Sequence, residues 1–382
     1  MYLFQTFLLT PIVLAASIIT RHHSRDAAAY FLDNNPNGST IVAMRISRED
    51  GTLSLPTRTS TGGKGMLGLD APTANLTAAP APGDNGKLFT VNAGSKTLAM
   101  FSIGSNDFLH PHMVGRPVDT MGEIPVAVAY SPKLKTACVL NGGAVAGISC
   151  FLAHYSKGLS AIGSFRPIAL NQTTPPVGPA GTVSDLLFNP SQTTLLASVK
   201  GNGLAPGSFI AYPVSQSNNS ISSIPIISEP PQVRLNFGIS FLGSDHRLAV
   251  SDPAIGASLV SISSSSIVTA DVPITVAGES AVCWTEYNRK REELYLMDVA
   301  VSDITVVDAK TGAIKKGIQQ DDAGLGSLDA RLGGDFLYVL KSASEIDVIK
   351  TSGGKTVQKF NLSNLGSRQG FVGMATWGFG QN

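Results

Sequence analysis

The sequence is poor in charge, and this shortage excludes several kinds of partner. Asp, Glu, Lys and Arg together make up 14% of the 382 residues, and the formal net charge at pH 7 is +1. A chain this close to neutrality has no overall field to attract nucleic acid or an anionic membrane surface. We therefore expect no nucleic-acid partner.

Motifs of the common enzyme classes are also missing. The chain has no G-x-S-x-G elbow, no phosphate-binding glycine loop, no H-E-x-x-H and no paired C-x-x-C, which disfavours serine hydrolases, nucleotide enzymes and zinc proteases. His110 and His112 lie two residues apart, but a metal site needs a third ligand, and no neighbouring His or Cys cluster supplies one. The sequence predicts no metal and no cofactor.

What the sequence does contain is the material of β-strands and turns. Hydrophobic residues make up 43% of the chain, and there are 39 Gly and 22 Pro. Almost no segment has helical periodicity. This composition predicts an all-β protein with a large core and many turns.

The chain begins with an apolar segment. Residues 1–20 end in small residues at Ala15, Ala16 and Ser17, a pattern that predicts a secretory signal peptide, with 21–28 as a short leader. An uncleaved signal anchor is the alternative, because the run is nearly long enough to span a bilayer.

Sequons for N-glycosylation follow this segment. Five are present, at Asn37, Asn75, Asn171, Asn218 and Asn361. A glycan is bulky and is tolerated in surface turns and loops, where four of these sequons are predicted to lie. Together with the signal peptide, they predict a secreted, extracellular glycoprotein.

Two of the three cysteines are spaced symmetrically about Ala144. If this segment is a hairpin, Cys138 and Cys150 lie opposite each other on paired strands, and a disulfide bond between them is expected in an oxidising compartment. Cys283 lies in an apolar segment with nothing nearby to lower its pKa, which predicts a buried free thiol.

Seven short strands that end in a polar residue recur at intervals of about 51 residues, near the ~40–50 of propeller repeats. A second strand and a turn follow each of them, giving seven hairpins. We expect the polar residues to ring one face, where they are solvated and bond the turns, while a binding role is the alternative. They are Asp33, Asn92, Asn141, Lys200, Asp252, Asp298 and Lys341.

With a preceding strand, often apolar, before most hairpins, the repeats predict a seven-bladed β-propeller of four-stranded blades, a single domain over 29–382. A β-sandwich is the structural alternative. The first repeat lacks its inner strand, and we expect residues 370–379 to supply it and close the ring, which removes open sheet edges. Residues 67–86 are of low complexity, which predicts either a short, irregular inner strand in the second blade or a glycosylated loop around Asn75.

Three segments carry a family resemblance: "STGGKG" at 60–65, "LFTVNAGSKTLAMFSI" at 88–103 and "LLFNPSQTTLLASVKGNG" at 186–203. With the seven repeats, they resemble the fungal secreted branch of the lactonase and muconate-cyclase propellers, proteins similar to 3-carboxymuconate cyclase and bacterial 6-phosphogluconolactonase. The resemblance implies a His after a Pro at the start of an inner strand, and arginines in the central pocket. This chain departs from that pattern, with Val126 at the His position and Ser184 and Asp185 at the second site.

A muconate substrate carries several carboxylates, so a cyclase needs at least two cationic groups and a proton donor in its pocket. Each candidate near the predicted starts of inner strands could instead belong to an ion pair on the rim. The candidates are Asp185, Arg234, Glu279 and Arg368.

Two functions remain open from the sequence. The first is a monomeric, non-catalytic extracellular or cell-wall glycoprotein whose propeller binds a glycan or protein. The alternative is a metal-independent lactonase or muconate-type cycloisomerase acting on a small carboxylated ligand. A cationic central pocket would indicate the enzyme, and an apolar or neutral channel would indicate the binding protein.

Overall fold

A computed structural model describes residues 27–67, 76–79, 86–215, 217–320 and 325–379. The predicted signal peptide, most of the leader and the Asn75 sequon lie outside the described residues. In the described part of the chain, helix is limited to two single turns of 3-10 helix, Ser363–Leu365 and Arg368–Gly370. None of the described helices has the length and apolarity needed to cross a membrane.

Strands account for the remaining regular structure of the described residues, in chain order. The first two repeats contain β1 (Ala27–Asp33), β2 (Thr40–Ile46), β3 (Leu53–Ser60), β4 (Leu76–Ala79), β5 (Gly86–Asn92), β6 (Thr97–Gly104), β7 (Asp107–Met113) and β8 (Val118–Asp119). The next three contain β9 (Glu123–Ser131), β10 (Thr136–Gly142), β11 (Gly147–His154), β12 (Gly158–Pro167), β13 (Val183–Phe188), β14 (Thr194–Val199), β15 (Ser208–Pro213), β16 (Ile226–Ser228), β17 (Ile239–Ser244), β18 (Arg247–Asp252), β19 (Gly256–Ile262) and β20 (Val268–Thr275). The last two contain β21 (Val282–Asn288), β22 (Glu293–Asp298), β23 (Thr305–Asp308), β24 (Ser327–Gly333), β25 (Phe336–Lys341), β26 (Glu345–Lys350) and β27 (Lys355–Asn361), and the chain continues into β28 (Phe371–Trp377).

These strands form seven antiparallel sheets, each running from an inner to an outer strand, which confirms the predicted seven-bladed propeller. The inner strands are β28, β4, β9, β13, β17, β21 and β24, in blade order 1 to 7. Each contacts the inner strand of the next blade, so the sheets form a ring. Blade 6 has three named strands, with its outer segment joined by the bridges Ile304 to Ile318 and Val307 to Ile314. The inner strand of blade 2 is four residues long, as the low-complexity segment suggested.

The ring closes where the two ends of the described chain share blade 1. β28 pairs antiparallel with β1, with Tyr30 opposite Ala375 and Phe31 opposite Met374. β1 has all seven residues buried and therefore needs a hydrogen-bonded partner along both of its edges. Phe31 also meets Phe371 edge to face, with ring centroids 4.9 Å apart. The predicted closure by the C-terminal strand is thus confirmed.

The hydrophobic core lies between the blades. One cluster draws Tyr30 from blade 1, Phe89 and Phe101 from blade 2, and Phe151 from blade 3, all at most 1% exposed. Each blade packs against a neighbouring blade on both of its faces. The second strands are therefore buried on both sides, which accounts for their long apolar runs.

The cysteines lie within this packing. Cys138 on β10 and Cys150 on β11 occupy paired positions and are joined by a disulfide bond. Cys283 on β21 is 8% exposed, and burial raises the pKa of its thiol to about 12, which leaves the thiol protonated at neutral pH.

The seven polar residues at the ends of the second strands are all buried, with exposed fractions of 0% to 8%. The expectation that they are solvated is therefore wrong, because the loops that enter each inner strand cover them. The expectation that they bond the turns agrees with the structure. Asp298, for example, accepts hydrogen bonds from the backbone N–H groups of Ser280, Ala281, Ala300 and Val301 at 2.7 to 3.1 Å.

Asp252 repeats this arrangement one blade earlier. Its carboxylate accepts from the N–H groups of Arg234, Leu235 and Ala254 at 2.6 to 3.0 Å. Where the same position holds Lys200, the bonds run the other way, and Nζ donates to Val183 O at 2.8 Å. In blades 3 to 6 the position thus ties the entry of the inner strand to the second strand of the same blade, whether Asn, Lys or Asp occupies it.

Removal of residues 371–382 should abolish the fold, because β1 would lose its inner partner and expose a fully buried strand. Thermal unfolding followed by circular dichroism should show no cooperative transition. Removal of 380–382 alone leaves β28 intact and serves as the control. A 371–382 deletion that melts like the full chain would contradict the closure.

Substitution Asp298→Ala should lower the free energy of unfolding by about 2–4 kcal/mol, because four partly buried backbone N–H groups lose a charged acceptor that is itself buried. Asp271→Ala, at an exposed position of β20, should change it by less than about 0.5 kcal/mol. Urea unfolding of both variants measures the difference. Equal effects would show that the hydrogen bonds accepted by Asp298 do not stabilise the fold.

Candidate functional site

A cavity of about 220 Å³ lies among the inner strands of blades 3 to 7. Its lining carries a concentration of charged and aromatic side chains that is unusual for the interior of this chain. They are Asp185 from β13, Phe241 from β17, Trp284, Glu286 and Tyr287 from β21, and Asp329 and Arg331 from β24.

Each of the three carboxylates is bonded to the backbone of the following blade. Asp185 Oδ2 accepts from the N–H of Ile239 at 3.0 Å, and Glu286 Oε1 accepts from the N–H of Leu332 at 2.9 Å. Asp329 Oδ2 accepts from the N–H of Met374 at 3.0 Å. The acidic groups therefore connect blade 4 to 5, blade 6 to 7 and blade 7 to 1.

The physical reason is that the inner strand of a propeller blade is a sheet edge. An inner strand has a ladder partner on one side only, so some of its N–H groups point towards the axis without a strand to accept them. Carboxylates are acceptor-only groups with room for several donors, and they satisfy such N–H groups well. Between blades 5 and 6 the hydrogen bond has the opposite direction: Ser240 Oγ donates to Thr285 O at 3.0 Å, so a hydroxyl satisfies a backbone carbonyl of the next blade.

Burial dominates the acid–base behaviour of the carboxylates. Their residues are 5% to 8% exposed. Burial raises the pKa of Asp185 and Glu286, although backbone hydrogen bonds and Arg331 act against the rise. Burial raises the pKa of Asp329 to about 7, and the nearby carboxylates of Glu286 and Asp185 add to the effect.

Arg331 is the one cationic side chain among the described lining residues. Its side chain is 41% exposed to the cavity, Nη1 donates to Glu286 Oε2 at 3.1 Å, and Nε donates to Met374 O at 3.2 Å. Burial alone would lower the pKa of Arg331, but the carboxylates of Glu286, Asp329 and Asp185 outweigh burial and raise it. The guanidinium is therefore charged and already engaged.

A second cation, Lys200, lies close enough to influence Asp185 but is not part of the lining. Its ammonium packs 4.2 Å from the centroid of the Phe237 ring and donates to Thr182 Oγ1 at 3.1 Å. Burial lowers the pKa of Lys200 to about 7, so about half of the molecules carry a neutral amine there at neutral pH.

The structure places one of the four predicted catalytic residues, Asp185, in the cavity. Arg234 is exposed, and its backbone N–H caps Asp252. Glu279 is half-buried before β21, where burial and the carboxylates of Asp298 and Asp252 raise its pKa to about 7. These two residues lie outside the cavity lining.

Arg368 belongs to the ring closure instead of the cavity. Its guanidinium donates to the backbone carbonyls of Lys341, Ala343 and Phe371, which fixes the entry of β28. Burial lowers its pKa to about 10. Val126, which stands where the resemblance implied a His, is 1% exposed and packs in the core between blades.

The two closely spaced histidines are exposed on β7. His110 Nδ1 lies 2.7 Å from Asp107 Oδ1, and His112 Nε2 lies 3.2 Å from Asp107 Oδ2. Over the ranges that the structure describes, no group of three or more His, Cys, Asp or Glu residues is arranged to hold a metal ion.

Comparison with known proteins yields fold neighbours only. No protein-family model and no curated protein matches the sequence. Among solved structures, a "putative 6-phosphogluconolactonase" from Bacteroides fragilis matches with a TM-score of 0.63 at 13% identity, over 92% of this chain and 98% of that one. Another protein with that title, from Bacteroides uniformis, matches with a TM-score of 0.65 at 13% identity, over 92% of this chain and 100% of that one.

A protein from Lactobacillus plantarum matches with a TM-score of 0.66 at 13% identity, over 92% of this chain and 99% of that one. Likeness at this identity establishes the fold alone. The chain is similar in architecture to lactonase-type propellers, which supports the coarse part of the predicted resemblance. The fungal and secreted parts stay predictions.

Substitution Asp329→Asn should destabilise the protein by about 1–3 kcal/mol, because the amide –NH2 replaces one of two acceptors for buried N–H groups. The loss should depend on pH. The folded pKa of Asp329 is about 7 and its ordinary value is 3.8, so the carboxyl stabilises the fold most in acid and loses that contribution as pH rises towards 7.

Urea unfolding at pH 5 and pH 8 measures this effect. The free energy of unfolding of the native chain should exceed that of Asp329→Asn by more at pH 5 than at pH 8. The exposed control Asp271→Asn should have the same free energy of unfolding as the native chain at both pH values. Asp185, Glu286 and Arg331 face Asp329, and the pKa values of these three groups also change when Asp329 can no longer ionise, so the difference between the two proteins reports the titration of the coupled cluster. A difference that is the same at both pH values would contradict the raised pKa.

Proposed function

We propose that this chain is a secreted, N-glycosylated propeller that binds a ligand outside the cell or in the cell wall, without converting it. The observation that carries the proposal is the charge of the central cavity, where Asp185, Glu286 and Asp329 face the single guanidinium of Arg331. The fold neighbours make a lactonase-like ancestry reasonable, but a fold does not determine the chemistry of its site.

A carboxylated or phosphorylated substrate does not suit this cavity. Such a substrate needs at least two cationic groups that are free to pair with it. Arg331 is already bonded to Glu286, and Arg368 is bonded to backbone carbonyls away from the cavity. An added anion would face three carboxyl groups against one guanidinium, and repulsion from those carboxyl groups that are ionised is unfavourable at low effective dielectric.

Two features support an extracellular location. Four of the five sequon asparagines, Asn37, Asn171, Asn218 and Asn361, are described and all four are exposed, as a glycosylated residue must be. The disulfide between Cys138 and Cys150 is the kind of bond that persists in oxidising compartments.

A metal-independent lactonase acting on an uncharged lactone is the second candidate function. Asp329 favours it, because a carboxyl with a pKa of about 7 holds a proton in a good fraction of molecules at neutral pH and can act as a general acid. In that case Asp185 or Glu286 would serve as the base. The same carboxylates would then have to leave their inter-blade hydrogen bonds during the reaction.

An assay of the secreted, full-length protein decides between these two functions. With δ-gluconolactone and 3-carboxymuconate as substrates, we expect no rate above that in buffer. A saturable rate that Asp329→Asn removes, while Asp271→Asn retains it, would establish the lactonase and overturn the binding protein.

Enzymatic removal of N-glycans from the same preparation tests the location. We expect a loss of mass, reduced stepwise by the substitutions Asn37→Gln, Asn171→Gln, Asn218→Gln and Asn361→Gln. A secreted protein whose mass is unchanged by the treatment would contradict the glycosylated form.

A further inference from the structure

Trp284 presents an unused hydrogen-bond donor at the central cavity. The residue is 8% exposed and lines the cavity. The benzo edge of its indole, at Cε3 and Cζ3, packs against the backbone of Gly238, so the pyrrole edge with the Nε1–H group is turned the other way. No acceptor in the described part of the chain takes this N–H. Nε1 is not one of the fully enclosed polar atoms of the described residues that lack a partner, so it reaches solvent, where a ligand atom can accept from it.

The cavity thus offers donors and acceptors together. Trp284 and those guanidinium N–H groups of Arg331 that are not bonded to Glu286 or Met374 can donate. A carboxylate oxygen of Glu286 or Asp329 can accept a second hydrogen bond beside those it already takes. An anion would use the donors and be repelled by the carboxylates. A cation would use the carboxylates and be repelled by Arg331. A hydroxyl group, which both donates and accepts, satisfies both sets without bringing a charge.

Aromatic residues complete the lining. Phe241, Trp284 and Tyr287 come from neighbouring inner strands and border the same cavity. Such rings provide flat apolar surface for the C–H groups of a ligand, next to the polar groups that orient it. The volume of about 220 Å³ is below the ~300–1,000 Å³ of pockets for drug-sized molecules, so the cavity suits one small ring.

We propose that the central cavity binds a single neutral polyhydroxylated ring, such as a pyranose, with its hydroxyls between Trp284, Arg331 and the carboxylates and its apolar face on the aromatic rings. This inference rests on the proposed function as a binding protein. It names the ligand class of the central cavity, either as a free monosaccharide or as the terminal residue of a glycan.

Tryptophan fluorescence of the intact secreted protein tests the proposal directly. The chain has two tryptophans, and Trp377 lies on β28, stacked on Phe108 at 5.7 Å. The variant Trp377→Phe therefore leaves Trp284 as the sole reporter. Titration with methyl glucoside, methyl mannoside, methyl galactoside and N-acetylglucosamine should give a saturable change for at least one of them. Titration with gluconate or muconate should give none.

Calorimetry with the sugar that binds then locates the site. Trp284→Phe retains an aromatic face and loses the N–H, so the dissociation constant should rise about five- to tenfold, the loss of one hydrogen bond. Trp377→Phe should bind as the native chain does. Circular dichroism verifies that both variants are folded. Equal affinity of Trp284→Phe and the native chain would place the sugar elsewhere and overturn the proposal, as would tighter binding of gluconate or muconate.

Two further comparisons separate the remaining outcomes. A trisaccharide that binds as well as its methyl glycoside indicates the terminal residue of a glycan, and binding of the methyl glycoside alone indicates a free sugar; both support the proposed chemistry. Absence of any saturable sugar binding, together with absence of turnover, would overturn this inference and leave the binding function to another surface. Turnover of a lactone would overturn the proposed function itself.

Discussion

The structure depends on one pairing, that of β28 with β1. Seven blades can surround an axis only if the last one meets the first, and here the chain achieves this by placing a C-terminal strand inside the N-terminal blade. Each blade is then packed between two neighbouring blades, and its inner strand faces the axis. The cavity, its carboxylates and its aromatic lining exist because this closure brings strands from five blades together.

Closure of the ring also leaves inner-strand N–H groups without a strand partner, which explains why carboxyl groups lie near the axis. Seven inner strands present seven sheet edges to the centre, and their free N–H groups lie too far apart to pair with each other. Asp185, Glu286 and Asp329 accept such groups from the next blade. A buried carboxylate is costly unless it is hydrogen-bonded, and these bonds offset that cost. The same groups are then poorly placed to serve as free catalytic bases, which connects the architecture to the function that we propose.

Sequence patterns predicted the architecture well and the site poorly. Turn residues and apolar runs recur within each repeat, so the seven blades could be predicted from short segments of sequence. The closure was predicted because the first repeat lacks its inner strand and an additional segment follows the seventh. The burial of Asp298 could not be predicted in this way. The loop that covers Asp298 leads into the inner strand, and its sequence has no recurring pattern. Strand alternation indicates which blade face a side chain occupies, but it does not indicate which inner-strand residues reach the axis.

The cavity illustrates this limit. Asp185 was a candidate, whereas Glu286, Asp329 and Arg331 were missed, although each is a charged residue within an otherwise apolar inner strand. That signal was present in "CWTEYN" and "SLDARLG". Their partners could not be anticipated, because the N–H donors are 45 to 54 residues away in sequence and come from another blade.

The most direct test of the central claim is amide hydrogen exchange at Ile239, Leu332 and Met374, resolved by NMR. If the axial carboxylates are acceptors that join the blades, these three edge amides should exchange as slowly as the ladder amides of β22 and β25. Exchange as fast as that of exposed turn amides would show that the carboxylates do not join the blades, and would leave them free to act as catalytic bases.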